Sequence, residues 1–270
     1  MCTNFTPSKN AEWVKNQFGV DLPADYPDEA YPGFLGPVVM KSQQSGRVAC
    51  GLARFGLIPA WAKDDKISRH TYNARSETVA EKPSFRTAWR KRQFCLILAD
   101  NFYEPNYATG KAVRWRIQTQ VPKPFGIAGI WDKWTDPATG ELVVSFSMLT
   151  VNADEHEVMR QFHRPGDEKR TPAIIPQENY IQWLGADVPT AMGVDVFLHN
   201  VPSPPRRLAT TSINASNTSK DLLVCPMVCI KRKSPERCVF IDLLAEREGF
   251  EPSVQVNLYA GFRIRPLSLI

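Results

Sequence analysis

The chain has 270 residues, a formal net charge of +5, and 43% hydrophobic and 23% charged residues, which excludes collagen-like and wholly disordered classes and leaves one large or two small globular domains. No apolar run reaches the roughly 18 to 20 residues that a bilayer crossing requires, and the opening MCTNFTPSKN lacks the basic and apolar regions of a secretion signal; the expected location is the cytoplasm, with no membrane partner. The six cysteines, Cys2, Cys50, Cys95, Cys225, Cys229 and Cys238, are therefore expected as reduced thiols.

In chain order, Thr6-Pro7 reads as a helix N-cap with proline at the first helical position, and AEWVKNQF continues that helix to a stop at Gly19. PVVMK and RVACGLARFGLIP read as two strands around the polar turn SQQSG, and RQFCLILA as an apolar strand buried on both faces. In AVRWRIQT, Val113, Trp115 and Ile117 alternate with Arg114, Arg116 and Gln118, the pattern of a half-exposed strand. FGIAGIW and ELVVSFSMLTV are two more strands joined through the turn TDPATG. Asp154 is expected to cap a helix over DEHEVMRQF, AII forms a short strand, and ENYIQWL forms a helix ending at Gly185. Strands dominate, so the expected class is α+β: a twisted, mostly antiparallel, barrel-like β core with peripheral helices. The domain is expected to span residues 1–200. From 201 to 270 an extension begins with the polar, proline-rich PSPPRR and ATTSINASNTSK, which read as linker or disorder. Cys225, Cys229 and Cys238 lack a convincing fourth ligand for zinc, and no metal or organic cofactor is expected.

Four stretches carry the chemistry: MC at the start, YNARSET (72–78), NFYEPN (101–106) and FHRPGDEKRTPAII (162–175). Were Met1 removed, Cys2 would present a free α-amine and a thiol on adjacent carbons, a pair able to capture an aldehyde. An α-amino group titrates at about 7.7 to 8.0, far below a lysine, so an unprotonated fraction exists near neutrality. Glu104, at the end of a strand, is a candidate acid-base group, and His163 a candidate proton donor or polariser. Each also has a plainer reading. Cys2 is an ordinary small second residue, Glu104 a surface carboxylate, His163 a helix-terminus histidine near the dipole, Asn73 a turn residue, Arg75 and Arg170 solvated charges, and Trp61 a core aromatic.

These motifs, with FGLIPAW ahead of them and in this order over about residues 1–190, resemble the SRAP family, the SOS-response-associated peptidases, whose members crosslink to abasic sites in single-stranded DNA through an N-terminal cysteine. The resemblance implies a monomer that binds abasic single-stranded DNA, removes its own Met1, and closes a thiazolidine ring on the sugar aldehyde. It implies Cys2, Asn73, Glu104 and His163 as catalytic residues, with Glu104 also assisting removal of Met1. Arg75 and Arg170 match phosphate-contacting positions, with Arg164 as an alternative to Arg170, and Trp61 matches an aromatic beside the DNA. Thr3-Asn4 stands where many members have Gly-Arg, which removes one expected phosphate contact. Pro105 replaces a common tryptophan, and the histidine-to-arginine block is expanded to HRPGDEKRTP. Two other classes remain: a non-catalytic single-stranded DNA binding module, and a cysteine hydrolase acting in trans through Cys95 or Cys2 with His163.

Overall fold

The computed structural model describes residues 2–42, 45–119 and 122–192, together with three short strands at Cys225–Met227, Asp242–Leu243 and Val254–Gln255. In chain order the domain runs β1 (Phe5–Pro7), α1 (Ala11–Phe18), β2 (Leu35–Lys41), β3 (Val48–Phe55), β4 (Asn73–Arg75), α2 (Arg86–Arg90), β5 (Phe94–Asn106), β6 (Val113–Ile117), β7 (Phe125–Thr135), β8 (Leu142–Asn152), β9 (Arg170–Pro172), β10 (Ile174–Ile175), α3 (Tyr180–Gly185) and α4 (Val188–Met192).

Strand β5 pairs with both β2 and β7, β7 with β8, β8 with β3, and β3 with β2, so five strands close into a barrel. Of these five pairings, the β3–β8 one is parallel, Arg54 opposite Ser145, and the others are antiparallel. Alternation along β5 assigns its two faces. Cys95, Ile97 and Ala99 join an inner cluster with Val38, Phe55, Ile127, Phe146 and Met148. Phe94, Leu96 and Leu98 face outward, where α1, α2 and α3 cover them with Val14, Trp89, Tyr180 and Trp183. Burying each such side chain stabilises the fold by about 1.5–3 kcal/mol, which is why the helices sit on this outer face and nowhere near the barrel interior.

Past Ala99, β5 leaves the barrel and pairs with β1 on one edge and β6 on the other. This projecting half carries Glu104. Strand β1 is pinned there because Phe5 lies opposite Phe102 and its ring meets those of Phe55 and Phe146 edge-on, with centroids 5.5 and 6.4 Å away. The barrel expectation holds, as do the strands read from PVVMK, RQFCLILA, AVRWRIQT, FGIAGIW and ELVVSFSMLTV and the helix ending at Gly185.

Two local expectations are corrected. Thr6-Pro7 is strand, not helix cap, because Phe5 exchanges backbone hydrogen bonds with Ala30 and Thr6 lies opposite Asn101. The helix starts later: the Asn10 side chain accepts from Trp13 N at 2.9 Å, and Gly19 closes it at φ 69°. DEHEVMRQF forms turns and one short 3₁₀ segment, Met159–Gln161. Asp154 does not cap it, because its carboxylate accepts from Lys169 N at 2.9 Å and Asn152 Nδ2 at 2.8 Å. Cys2, Cys50 and Cys95 are free thiols. The boundary near 200 and the disorder expected beyond it lie outside the described residues, the three short strands excepted.

Candidate active site

The four residues singled out as catalytic come together at the end of the barrel where β5 projects. The segment leading into β1 brings Cys2 there, with the Asn4 carbonyl accepting from Tyr103 N at 3.2 Å. Strand β4 lies parallel to β8, Asn73 opposite Met148, and this directs the Asn73 Nδ2 to donate to the Cys2 carbonyl at 2.7 Å. Asn73 Oδ1 is buried and has no hydrogen-bond partner among the described residues. Glu104 Oε2 lies 3.4 Å from His163 Nδ1. Cys2 and Glu104 are each 1% exposed and His163 7%, so three reactive groups sit in a nearly dry pocket.

Burial decides their protonation. Desolvation pushes the Glu104 carboxyl up to about 8, so at neutral pH it is predominantly a carboxylic acid. Burial also pushes the Cys2 thiol far up, with the Glu104 charge acting the same way; the thiol remains S–H and donates to the Asn4 carbonyl at 3.3 Å. Desolvation lowers His163, partly offset by the Arg170 carbonyl. That carbonyl lies 2.8 Å from His163 Nε2. A carbonyl only accepts, so Nε2 carries the hydrogen and Nδ1 of the neutral ring turns a lone pair toward Glu104. A protonated Glu104 facing an unprotonated Nδ1 is a poised acid-base pair, with one proton between two groups.

The residues expected to meet DNA are arranged unequally. Arg75 is exposed, and its Nη1 pairs with Glu168 Oε2 at 2.6 Å. Arg164 is exposed, and its Nε donates to the Tyr107 hydroxyl at 3.4 Å. Trp61 is 57% exposed, next in sequence to Ala62 of a small cluster with Ile58 and Trp134, and is not part of the cluster that holds Cys2. Arg170 is 2% exposed, its guanidinium bound to Glu77, Glu168 and Thr150; it is an interior residue, not a surface cation.

The SOS response associated peptidase (SRAP) family model matches residues 1–216. The chain belongs to the SRAP family. It is 33% identical over 193 residues to the abasic site processing protein YoqW of Bacillus subtilis, covering 68% of this chain and 80% of that one. It is 25% identical over 227 residues to the abasic site processing protein HMCES of Xenopus tropicalis, covering 72% of this chain and 62% of that one. Among solved structures, a Bordetella bronchiseptica protein superimposes with a TM-score of 0.67 at 31% identity, covering 84% of this chain and all, 100%, of that one. A Bacteroides thetaiotaomicron protein with a TM-score of 0.60 at 23% identity, covering 72% of this chain and 86% of that one, shares the fold.

Set on this SRAP domain, several residues that sequence reasoning passed over take part in the site. Tyr72 is half-buried beside the inner cluster, its ring edge-on to Phe55 at 5.8 Å, and its hydroxyl is pushed up by burial and then by Cys2 and Glu104. Asn4 is 4% exposed and donates to Glu29, which also accepts from Arg114; the Arg114 guanidinium lies 3.8 Å over the Tyr103 ring. Where Thr3-Asn4 departs from the common pattern, a guanidinium thus reaches the same end of β1 from β6. The alternation of Arg114 and Arg116 carried that signal, but their register against Pro105 and Tyr103 was not readable. Glu77 and Glu168, which hold Arg170 and Arg75, gave no sequence signal beyond their charge.

Proposed function

We propose that this chain captures abasic sites in single-stranded DNA covalently through Cys2, after hydrolysis of the Met1–Cys2 peptide bond. While that bond is intact the Cys2 nitrogen is an amide and not a nucleophile. Hydrolysis consumes one water, releases methionine and leaves an amine of near-neutral pKa. Glu104, protonated near neutrality, gives its proton to the ring oxygen of the sugar as the C1–O bond breaks, and the carboxylate so formed takes up the C1 hydroxyl proton, leaving the open aldehyde. The amine adds to the aldehyde carbon and water leaves, giving an imine. The thiol then adds: sulfur bonds to that carbon, the C=N pair passes to nitrogen, and nitrogen takes the proton that the thiol gives up. One water is lost overall, no oxidant or metal is consumed, and the second bond forms within one residue, where effective concentration is high.

What supports the reading is the meeting of Cys2, Asn73, Glu104 and His163, from four distant parts of the chain, with Cys2, Glu104 and His163 buried and Asn73 partly so, together with the abasic site processing relatives. Arg75 offers its guanidinium to phosphate, and the exposed Trp61 ring stacks on a base of the splayed strand. A trans-acting hydrolase built on Cys95 is disfavoured, since that thiol is fully buried and pushed up by desolvation.

The test is incubation of the purified protein with an oligonucleotide bearing one abasic site, read by denaturing gel and intact mass. The expected product survives denaturant, weighs protein less methionine plus DNA less one water, and is absent with Cys2→Ala. Binding without such an adduct, or an adduct that persists in Cys2→Ala, refutes the proposal; the first outcome points to a non-catalytic binding module.

A further inference from the structure

We infer that Arg170 is a positioning residue for His163 rather than a phosphate ligand: Glu77 locks its guanidinium in the interior so that its backbone carbonyl holds the imidazole toward Glu104. The inference rests on the reading above, in which Glu104 and His163 act on the captured sugar.

The geometry leaves the guanidinium nothing to offer a ligand. Nη1 donates to Glu77 Oε1 at 3.0 Å and Glu168 Oε1 at 2.6 Å, Nη2 to Glu77 Oε2 at 2.8 Å and the Thr150 carbonyl at 2.7 Å, and Nε to Thr150 Oγ1 at 3.3 Å. An arginine has five N–H groups, and all have acceptors here. The Glu77 pair is the parallel two-bond fork that fixes orientation as well as charge, and pulling a buried guanidinium from its carboxylates leaves uncompensated charge. The side chain therefore anchors its own backbone, which also pairs with Asn152 in the β8–β9 ladder.

His163 needs such an anchor. Its φ of 62° lies in the left-handed region, which is unfavourable for a non-glycine residue and must be enforced from outside. The contacts that enforce it include His163 N donating to the Pro105 carbonyl at 2.9 Å and Nε2 donating to the Arg170 carbonyl at 2.8 Å. Between them lie residues 164–169, the expanded part of HRPGDEKRTP. A longer connection imposes less on its two ends, so the ring-to-carbonyl bond does what a short loop would otherwise do. Releasing the Arg170 backbone frees the ring to turn, and Nδ1 then loses its 3.4 Å approach to Glu104. The charged groups around His163 are the α-amine at the start of the chain, Glu104 from β5, Asp167 and Lys169 from the loop, and Arg170 from β9.

Two variants separate positioning from phosphate binding. Glu77→Gln leaves the Arg170 charge in place and loosens its fork; Arg170→Lys keeps the charge and abolishes the fork. Each is examined for crosslinking rate against pH, for affinity to undamaged single-stranded DNA, and for the His163 tautomer by ring nitrogen and carbon NMR, with thermal unfolding as a check on folding. Expected for both are a crosslinking rate down about tenfold, a displaced pH profile, a mixed tautomer in place of Nε2–H, and DNA affinity within about twofold of wild type. A phosphate ligand behaves otherwise: Glu77→Gln frees it and tightens DNA binding, Arg170→Lys weakens binding, and pH profile and tautomer stay unmoved. That result overturns the inference. Should Arg170→Lys fail to fold, Glu77→Gln decides alone. If the wild type forms no adduct, the proposed function fails, and the tautomer comparison still decides: an unchanged Nε2–H form in Glu77→Gln overturns the inference.

Discussion

Glu104 and His163 behave as a pair whose chemistry is set by dryness more than by charge. A carboxyl held near 8 is an acid at neutral pH, and the same burial that raises it lowers the imidazole, so desolvation favours the uncharged form of each. The stability consequence has a definite direction. Between about 4.5 and about 8 the folded chain keeps a Glu104 proton that the unfolded chain has lost, so stability contributed by that proton is present below the lower value and falls as pH rises through the window, by an amount on the order of 5 kcal/mol. Denaturant titrations at several pH values are expected to show that decline in wild type and a much flatter dependence in Glu104→Gln. The same variant is expected to lose crosslinking about 100-fold, since a positioned acid contributes on that scale. Cys2→Ser keeps the amine but replaces sulfur by a weaker nucleophile; its adduct is expected to survive denaturing gels only after borohydride reduction, whereas the wild-type adduct needs none.

At the scale of elements, the 164–169 loop bears on both halves of the site. It carries Glu168, whose two oxygens reach Arg75 and Arg170, each at 2.6 Å. A phosphate meeting Arg75 must displace that carboxylate. Glu168→Gln is therefore expected to tighten binding to undamaged single-stranded DNA by about two- to fivefold, the range that a half-exposed ion pair allows; weaker binding would mean that Glu168 holds Arg75 ready and does not compete for it. The contrast between strands and turns also explains what the sequence conveyed. Strands buried on both faces, such as FCLILA, announce themselves because an unbroken apolar run has few other homes. Thr6-Pro7 misled because a threonine followed by proline suits a helix start locally, while the pairing with Asn101 and Ala99 that overrides it lies more than ninety positions away. The four catalytic candidates were legible as motifs in order. Their burial was not, since relative solvent exposure depends on β1 threading against β5. The burial of Arg170 was not legible for a related reason: charge is visible in a sequence, but the carboxylates that pair with it, Glu77 and Glu168, are indistinguishable from solvated ones.

For the molecule as a whole, the barrel holds its contents under tight steric limits. Gly129 on β7 faces the interior, where a Cβ would come within 2.4 Å of Ile97 Cδ1 and 2.8 Å of the Ser147 carbonyl. The isoleucine tip can turn away but the backbone oxygen cannot, so Gly129→Ala is expected to destabilise the fold by about 1–3 kcal/mol, seen as a lowered thermal midpoint with the adduct still formed at low temperature. The net charge of +5 and the exposed guanidiniums predict that adduct formation at limiting DNA slows as salt rises, through the binding step. Phe5, edge-on to the stacked rings of Phe55 and Phe146, has a practical corollary. With residues 1–4 ahead of the anchored strand, a purification handle fused before Met1 is expected to lengthen the segment that has to be cut away before an amine appears at Cys2, and so to slow adduct formation. Recombinant versions of this protein should be handled by the tail.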